Sequence, residues 1–260
     1  MGKQSVKHTL TVALMLCLGC SVLVSAAAIG LKPRQEANRL LDRNKNILGA
    51  AGMLQPGQSR ADIDRLFAEF EVRLVNLDTG RYATEDELKS AGIDPRTYDQ
   101  RKAARDPALS VSIKGDDPAG IQRKARYATV YVLPGDQGLR QLVLPVYGAG
   151  LWGMLYGFLV LEGDLKTVKG LSFYEHKETP GLGAKVDEPD WKAQWPGKQA
   201  YDGQGKVAVR VTKGPATREG EIDGLSGATL TTRGVDALIQ FWLGERGFAP
   251  FLQHLKTGEA

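Results

Sequence analysis

The pattern of apolar and polar residues divides the chain into a long apolar N-terminal run and a remainder of mixed character. Residues 9–31 contain no Asp, Glu, Lys or Arg. A helix of this length spans about 35 Å, enough to cross the roughly 30 Å hydrocarbon core of a bilayer. The run therefore predicts one membrane-spanning helix. An apolar stripe at helical spacing over residues 40–48 predicts that the helix continues to about residues 49–52.

The segment from residue 127 onward carries the pattern of β structure. Four apolar or alternating segments predict strands, at residues 127–133, 139–147, 153–161 and 165–175. Because Gly or Pro separates them at short intervals, they are expected to be antiparallel neighbours. Further elements are predicted as follows: an N-cap at Ser59, strands at 72–76 and 206–213, a short helix or turn at 191–197, and a helix at 231–243.

These elements predict an α+β fold, in which a single transmembrane helix precedes a mainly antiparallel β-sheet domain with flanking helices. Residues 84–118 are polar and punctuated by Pro, which predicts short helices and loops over the surface. The predicted organisation has four parts: a flank at 1–8, the anchor at 9–31, a helical and loop region at 32–126, and the β-rich domain at 127–260.

Composition and charge exclude several classes of protein. The 260-residue chain is 42% hydrophobic and 25% charged, which is typical of a folded protein rather than a disordered tail or a polytopic transporter. Its net charge of +4 includes Lys3 and Lys7, which precede the apolar run, and elsewhere acids and bases alternate. No basic face is concentrated for binding nucleic acid, so nucleic acid is not expected as a partner.

Cysteine and histidine are too scarce to build a metal centre. Both cysteines, Cys17 and Cys20, lie inside the apolar run, and the chain has only three histidines. The domain outside the run therefore has no thiol for a disulfide or a thiolate-bound metal, and no metal site is expected.

The apolar run is interpreted as a retained anchor rather than a cleaved signal. Residues 25–28 offer a small-residue cleavage site, but signal hydrophobic regions run about 7–15 residues and this run is longer. Orientation stays open: more basic residues follow the run than precede it, which argues against an exported domain, but long domains cross largely regardless of charge.

Two familiar chemical patterns occur without the context that their chemistry requires. Residues 148–153 match G-x-G-x-x-G, but a β-like segment follows where the dinucleotide fingerprint requires a helix, so a turn in a meander is preferred. His176 has Ser and Asp neighbours without a G-x-S-x-G elbow, so a solvated loop residue is preferred over a catalytic one. No catalytic residue is therefore assigned.

Two other segments are suited to hold a flat, phosphorylated ligand. Residues 178–183, Glu-Thr-Pro-Gly-Leu-Gly, combine a fixed proline with glycines that allow close backbone approach. Residues 223–229, Asp-Gly-Leu-Ser-Gly-Ala-Thr, stand at the N-terminus of the predicted helix, where free N–H groups and the helix dipole favour a phosphate. The alternative interpretation of the second segment is a plain N-cap by Thr229 or Thr231.

Together these segments, behind one N-terminal span, resemble the C subunit of the Na⁺-translocating NADH:quinone oxidoreductase. The likeness covers essentially the whole chain, and Ser226-Gly227-Ala228-Thr229 is similar to the family's flavinylation motif without departure from it. The resemblance implies FMN joined covalently through its phosphate to Thr229, and an FMN-binding domain over residues 127–260.

The resemblance also implies roles for the neighbouring residues. Asp223 and Gly224 correspond to the part of the motif read by a flavin transferase. Contacts with the flavin are expected from the motif and from residues around it: Ser226, Gly227, Ala228, Glu178, Thr179, Leu182, Lys213 and Thr232. Lys213 is a candidate partner for the electron-rich edge of the ring, and the alternative is a solvated lysine.

The work implied is electron relay within a complex of the bacterial inner membrane, with the domain on the periplasmic side. Expected partners are a second subunit with covalent FMN, an NADH-oxidising flavoprotein, integral membrane subunits, the transferase and membrane lipid. The alternatives are the shorter G subunit of the related Rnf electron-transport complex, an anchored binding module without cofactor, and a secreted hydrolase.

Overall fold

The computed structural model describes residues 6–136 and 138–260. Within these residues the chain forms two compact units, one ending at Arg43 and the other running from Asn44 to Ala260. The predicted flank over residues 1–8 lies partly outside the described residues.

Helix α1, Val6–Ala50, is continuous and contains Pro33. It is the one described helix that is long and apolar enough to cross a membrane. Its end agrees with the helical continuation expected from the sequence. The last two turns of α1 pack on the β-sheet, because Ile47 and Leu48 are fully buried and the hydroxyl of Ser172 donates to Oδ1 of Asn46 at 2.7 Å.

An antiparallel sheet of six strands forms the centre of the second unit, within the described residues. Its strands are β1 Glu71–Asn76, β2 Arg81–Tyr82, β5 Tyr127–Gly135, β6 Gly138–Ala149, β7 Met154–Glu162 and β8 Val168–Glu175. They lie in the order β2-β1-β5-β6-β7-β8. The four predicted strands of residues 127–175 are thus confirmed, and so is the antiparallel arrangement. Since β1 pairs with β5, the sheet also draws on the region before residue 127.

The helices before the sheet begin where the sequence provides caps. Helix α2, Arg60–Phe67, starts after Ser59, whose side chain and Asp62 form a capping box. The polar region contains α3, Glu85–Ser90, and α4, Gln100–Ala103, as expected. A small antiparallel pair, which the sequence pattern did not predict, joins β3 Ser110–Ser112 in this region to β4 Arg123–Ala125 just after it.

An ion pair links the polar region to the β8 edge of the sheet. The guanidinium of Arg101, on α4, donates to both carboxylate oxygens of Glu175, at 2.6 and 2.9 Å. The same guanidinium lies over the ring of Tyr156, 3.7 Å from its centroid. Bidentate pairing and cation–π contact together hold α4 beside the end of β8.

The C-terminal part covers one face of the sheet with helices. Between β8 and these helices lie a 3₁₀ helix, Gly183–Asp187, and α5, Pro189–Lys192, which begins slightly before the predicted 191–197. Helix α6 is Thr229–Leu243, and it begins two residues before the predicted start. Its apolar face buries Val235, Leu238, Ile239 and Trp242. Helix α7, Ala249–Thr257, has no counterpart among the predicted elements.

The strand predicted over residues 206–213 is wrong in extent. Only β9, Arg210–Val211, is a strand, and it pairs in parallel with β10, Glu221–Ile222, outside the six-stranded sheet. The first residues of the predicted strand enter a turn instead, since Oδ1 of Asp202 accepts the backbone N–H of Lys206 at 2.9 Å. Alternating pattern alone does not reveal such side-chain pairing.

Candidate functional site

The segment before α6 folds back on the first turn of the helix. The hydroxyl of Thr232 accepts the N–H of Leu225 at 2.9 Å and donates to the carbonyl of Ala228 at 3.0 Å. Thr232 is buried, so its hydroxyl is engaged within the protein. This pair of bonds fixes the shape of the Ser226–Gly227–Ala228 turn without using any of its side chains.

The N-terminus of α6 is open towards solvent. Its N-cap residue is Ala228, and no side chain caps the described helix end. Ser226, Gly227 and Thr229 are all exposed, so the Thr229 hydroxyl stands at the positive end of a 15-residue helix. The alternative that Thr229 or Thr231 is a plain N-cap is therefore wrong.

The carboxylate of Glu178 connects this helix to two other parts of the chain. Oε1 accepts the backbone N–H of Leu151 at 3.0 Å and that of Trp152 at 3.1 Å. Oε2 accepts the hydroxyl of Thr231, in the first turn of α6. Glu178 is only 6% exposed, and all three neighbours are groups that can donate hydrogen bonds to its carboxylate oxygens.

The hairpin turn that Glu178 holds is the glycine-rich segment 150–153. It joins β6 to β7, and the N–H of Gly150 donates to the carbonyl of Gly153 at 2.7 Å. The preference for a turn over a dinucleotide-binding loop is thus confirmed. No sequence signal indicated that the turn would present two N–H groups to a carboxylate 26 and 27 residues away.

His176 contacts the backbone of Glu178 and is not a solvated loop residue. Its Nδ1 accepts the N–H of Glu178 at 3.2 Å, and its Nε2 lies 2.7 Å from Oδ2 of Asp187. Since Nδ1 accepts a hydrogen bond, Nε2 is the ring nitrogen that can donate a hydrogen bond to Asp187. The His176 side chain is 13% exposed, so the expectation of a solvated residue is corrected.

The rest of the 178–183 segment forms a turn beside the motif. The carbonyl of Thr179 accepts the N–H groups of Leu182 and Ala184, both at 3.1 Å, and this turn brings Leu182 towards α6. Leu182 reaches across to the motif, and its Cδ2 lies 2.9 Å from where a Cβ on Gly227 would stand. The structure therefore brings together the two segments that the sequence indicates as ligand-binding.

Asp223 holds the loop that precedes the motif. Its Oδ1 accepts the N–H of Ala216 at 2.6 Å, its own N–H donates to Gln194, and its carbonyl accepts the indole N–H of Trp191. Gly224 donates its N–H to the carbonyl of Gly214 at 2.9 Å, which places Lys213 next to the motif. Lys213 is exposed.

Four large apolar side chains are exposed on the segments that Glu178 and Leu182 connect to the start of α6. We use the name apolar rim for Leu151, Trp152, Leu182 and Leu230, which are 45, 63, 44 and 54% exposed. Each belongs to one of the segments joined above: the hairpin turn, the Leu182 turn and the first turn of α6. Large apolar side chains are seldom left exposed together without a binding function.

The chemistry of this arrangement fits a phosphorylated aromatic ligand. The open helix end suits a phosphate, the exposed Thr229 hydroxyl is an attachment point, and the apolar rim suits a flat ring. These are the features of an FMN-binding domain, and the FMN-binding domain family matches residues 150–244.

Relatives extend the likeness to the whole chain. The C subunit of the Na(+)-translocating NADH-quinone reductase from Pseudomonas aeruginosa is 48% identical over 100% of this chain and 99% of its own length. The corresponding protein from Yersinia pestis is 44% identical, over 99% and 96% respectively. The crystal structure of Shewanella oneidensis NqrC superposes with a TM-score of 0.75 at 37% identity, covering 85% of this chain and 99% of that one.

Identity of this extent shows the family. The chain belongs to the NqrC family, the C subunits of the Na(+)-translocating NADH-quinone reductase. The likeness along the full length also decides against the shorter G subunit of the Rnf complex.

Proposed function

We propose that this chain relays single electrons within a Na⁺-translocating NADH:quinone oxidoreductase, and that its FMN is joined by a phosphoester to Oγ1 of Thr229. The observation that supports the attachment is that Thr229 is an exposed residue at the N-terminus of α6, where no side chain caps the helix. A phosphodiester there lies close to free N–H groups and the positive end of the helix dipole, so it needs no Arg or Lys clamp.

The neighbouring residues would hold the cofactor in complementary ways. The Ser226 hydroxyl and the small residues Gly227 and Ala228 leave room for the phosphate against the backbone. Thr179 and Leu182 offer contacts to the ring or its side chain.

Two further residues act at the edges of this site. Lys213, exposed beside the motif, is the candidate cation for the electron-rich edge of the ring. Thr232 contributes through the fold of the loop, because its hydroxyl bonds to Leu225 and Ala228.

When bound, FMN supplies a group that accepts and releases electrons one at a time. The residues of the chain determine where that group stands and how far solvent and partners can approach it. Because Thr229 and the apolar rim are exposed, the ring would remain accessible to redox centres on neighbouring proteins of the complex. No separate substrate turnover is expected from this chain.

The proposed partners follow from the proposed role. They are the subunit that carries a second covalent FMN, the NADH-oxidising flavoprotein subunit and the integral membrane subunits. A flavin transferase is needed to form the phosphoester, and Asp223 and Gly224 are proposed as part of what it reads. Both residues border the exposed turn that holds Ser226, so the transferase would approach an accessible loop.

The proposed location is the bacterial inner membrane, with helix α1 as a single-pass anchor and residues 44–260 on the periplasmic side. A membrane-impermeant thiol reagent can test this, using a cysteine introduced at exposed Gln204 in the Cys17→Ser, Cys20→Ser chain. Labelling in intact spheroplasts is expected. Labelling only after the cells are broken would place the domain in the cytoplasm.

The covalent attachment is tested by expressing the full chain with its flavin transferase and inspecting a denaturing gel for flavin fluorescence. The wild-type band and the Ser226→Ala band are expected to fluoresce, whereas Thr229→Ala is expected to be dark. Thr257→Ala, at the end of α7, is the matched control for loss of a threonine hydroxyl elsewhere. A fluorescent Thr229→Ala band or a dark wild-type band would refute the attachment at Thr229.

A further inference from the structure

Glu178 joins three segments that are distant in sequence. Its carboxylate takes hydrogen bonds from Leu151 and Trp152 in the β6–β7 turn, and from Thr231, which lies 53 residues downstream in α6. The turn carries two residues of the apolar rim, and the bond to α6 ends two residues from Thr229. One carboxylate therefore ties the rim to the helix end.

The space around this carboxylate is closed. A Cβ on Gly150 would lie well under 3.0 Å from Oε1 of Glu178, and a Cβ on Gly183 would meet both Oε2 and the Thr231 hydroxyl. These two glycines let the backbone close over the carboxylate from both sides. Both oxygens are therefore engaged from within the protein, and a ring contact is not the main work of this side chain.

We propose that Glu178 is the positioning residue of the flavin site: it sets the distance and angle between the apolar rim and the helix end that bears Thr229. The inference rests on the proposed function, because it concerns where the attached ring is held. In this role Glu178 acts through Leu151, Trp152 and Thr231, and the expectation of direct contact between Glu178 and the ring is replaced.

We use the name clamp for the three hydrogen bonds that the Glu178 carboxylate accepts from Leu151, Trp152 and Thr231. Two substitutions at Glu178 test whether these bonds are needed. In Glu178→Gln the amide oxygen can still accept both turn N–H groups, and the amide nitrogen can donate to the Thr231 hydroxyl, which then becomes an acceptor. Glu178→Ala removes all three bonds. A positioning role therefore predicts that Gln restores what Ala loses.

Glu221 provides a matched control. Its Oε2 also accepts two consecutive backbone N–H groups, of Thr217 and Arg218, and the Thr217 hydroxyl. These partners lie only three and four residues away, so the carboxylate organises one local loop and joins no distant segments. Glu221→Ala removes two backbone hydrogen bonds and one hydroxyl hydrogen bond, as Glu178→Ala does, but leaves the bonds of Glu178 intact.

The first measurement follows the attached flavin in the full chain, purified in detergent after expression with the transferase. Steady-state fluorescence anisotropy of the flavin is expected to fall in Glu178→Ala, because the apolar rim is no longer held against the ring and the ring moves more freely. It is expected to remain at the wild-type value in Glu178→Gln and Glu221→Ala. Unchanged anisotropy in a folded Glu178→Ala protein would overturn the inference, and so would an equal fall in Glu221→Ala.

The second measurement needs no flavin. Hydrogen exchange is measured on the peptide containing Leu151 and Trp152, in chain expressed without the transferase. Exchange is expected to be roughly tenfold faster in Glu178→Ala than in wild type, because each of the two N–H groups loses one hydrogen bond. Glu178→Gln should exchange nearly as wild type. Equal rates in wild type and Glu178→Ala would contradict the clamp.

Thr231→Val keeps the test decisive if Glu178→Ala does not fold. It removes only the hydroxyl that links the carboxylate to α6, and it is expected to lower the anisotropy without speeding exchange of the turn. Unchanged anisotropy in Thr231→Val would count against the inference. Failure of the proposed function would look different, since wild-type chain would then carry no flavin at Thr229 while the exchange result would still hold.

Discussion

Trp242 donates its indole N–H to the carbonyl oxygen of Tyr147 at 2.7 Å, and the two rings lie with centroids 4.7 Å apart. This contact seats the C-terminal half of α6 on strand β6. Since α6 is a single rigid element, the same contact fixes where its other end, with Thr229, stands relative to the hairpin turn. The position of the candidate site is thus decided partly by residues about 20 Å away along the helix.

Replacing Gly234 by Ala is predicted to destabilise the domain. Alanine normally favours a helix interior, but a Cβ here would press into the carbonyl oxygen of Ala149 on β6. A cost of about 1–3 kcal/mol is expected, which corresponds to about 2–4 °C in Tm for each kcal/mol. Thermal unfolding followed by near-UV circular dichroism measures it.

Gly203→Ala is the matched control for this prediction. A Cβ on Gly203 would meet nothing within 4 Å, and the residue is not in the left-handed region. Its free energy of unfolding is expected to stay within about 0.5 kcal/mol of wild type. A Gly234→Ala protein as stable as Gly203→Ala would mean that the helix shifts without cost.

If the transferase reads Asp223, a substitution there is predicted to reduce attachment of the flavin without lowering the stability of the domain. Asp223→Asn keeps an oxygen that can accept the N–H of Ala216, so the loop and the Tm are expected to change little. Flavin labelling in a denaturing gel is expected to fall, because the negative charge is lost. Gln194→Ala removes the acceptor for the Asp223 N–H and leaves the motif intact, so it should be labelled normally. Normal labelling of Asp223→Asn would show that Asp223 serves only the fold.

The apolar rim is predicted to shield the attached ring without contributing to stability. Leu230→Ser removes an exposed side chain beside Thr229, so the free energy of unfolding should move by no more than about 0.5 kcal/mol. Iodide should quench the attached flavin more strongly in this variant. Val72→Ser, at a similarly exposed position on β1, is the control and should quench as wild type. Equal quenching in all three proteins would argue against a ring held at the rim.

Buried tyrosines predict a loss of stability at high pH. Burial raises the pKa of Tyr174 to about 12 from its ordinary value of 10.0, and it also raises the pKa of Tyr147 and Tyr201. The folded state therefore keeps these protons longer than the unfolded state does. The contribution of these tyrosines to the free energy of unfolding is fully present below pH about 10. It is lost as the pH rises towards 12.

Phenolate absorbance during an alkaline titration checks this prediction. The folded protein should ionise only some of its tyrosines near pH 10, and the rest should ionise as it unfolds. Tyr174→Phe removes one of the raised groups, so its stability should fall less steeply with pH. An identical slope in wild type and Tyr174→Phe would show that Tyr174 ionises alike in both states.

Local patterns predicted much of the fold because they depend on neighbours in sequence. The apolar run, the capping residue Ser59 and the four strands of residues 127–175 all follow from period and turn chemistry. The strand predicted over residues 206–213 was too long, because its first residues enter a turn in which the side chain of Asp202 accepts the backbone N–H of Lys206.

The sequence by itself determined the class of fold, the anchor and the motif ending at Thr229, together with the absence of thiols outside the anchor. Only the tertiary structure decided that Glu178 binds Leu151, Trp152 and Thr231, that His176 supports it, and that four apolar side chains on the connected segments stay exposed. The physical reason is that such contacts join residues far apart in the chain. The Glu178 carboxylate meets its three donors only when the strands have the right register and α6 is packed on the sheet. The two neighbouring glycines must also leave room for it.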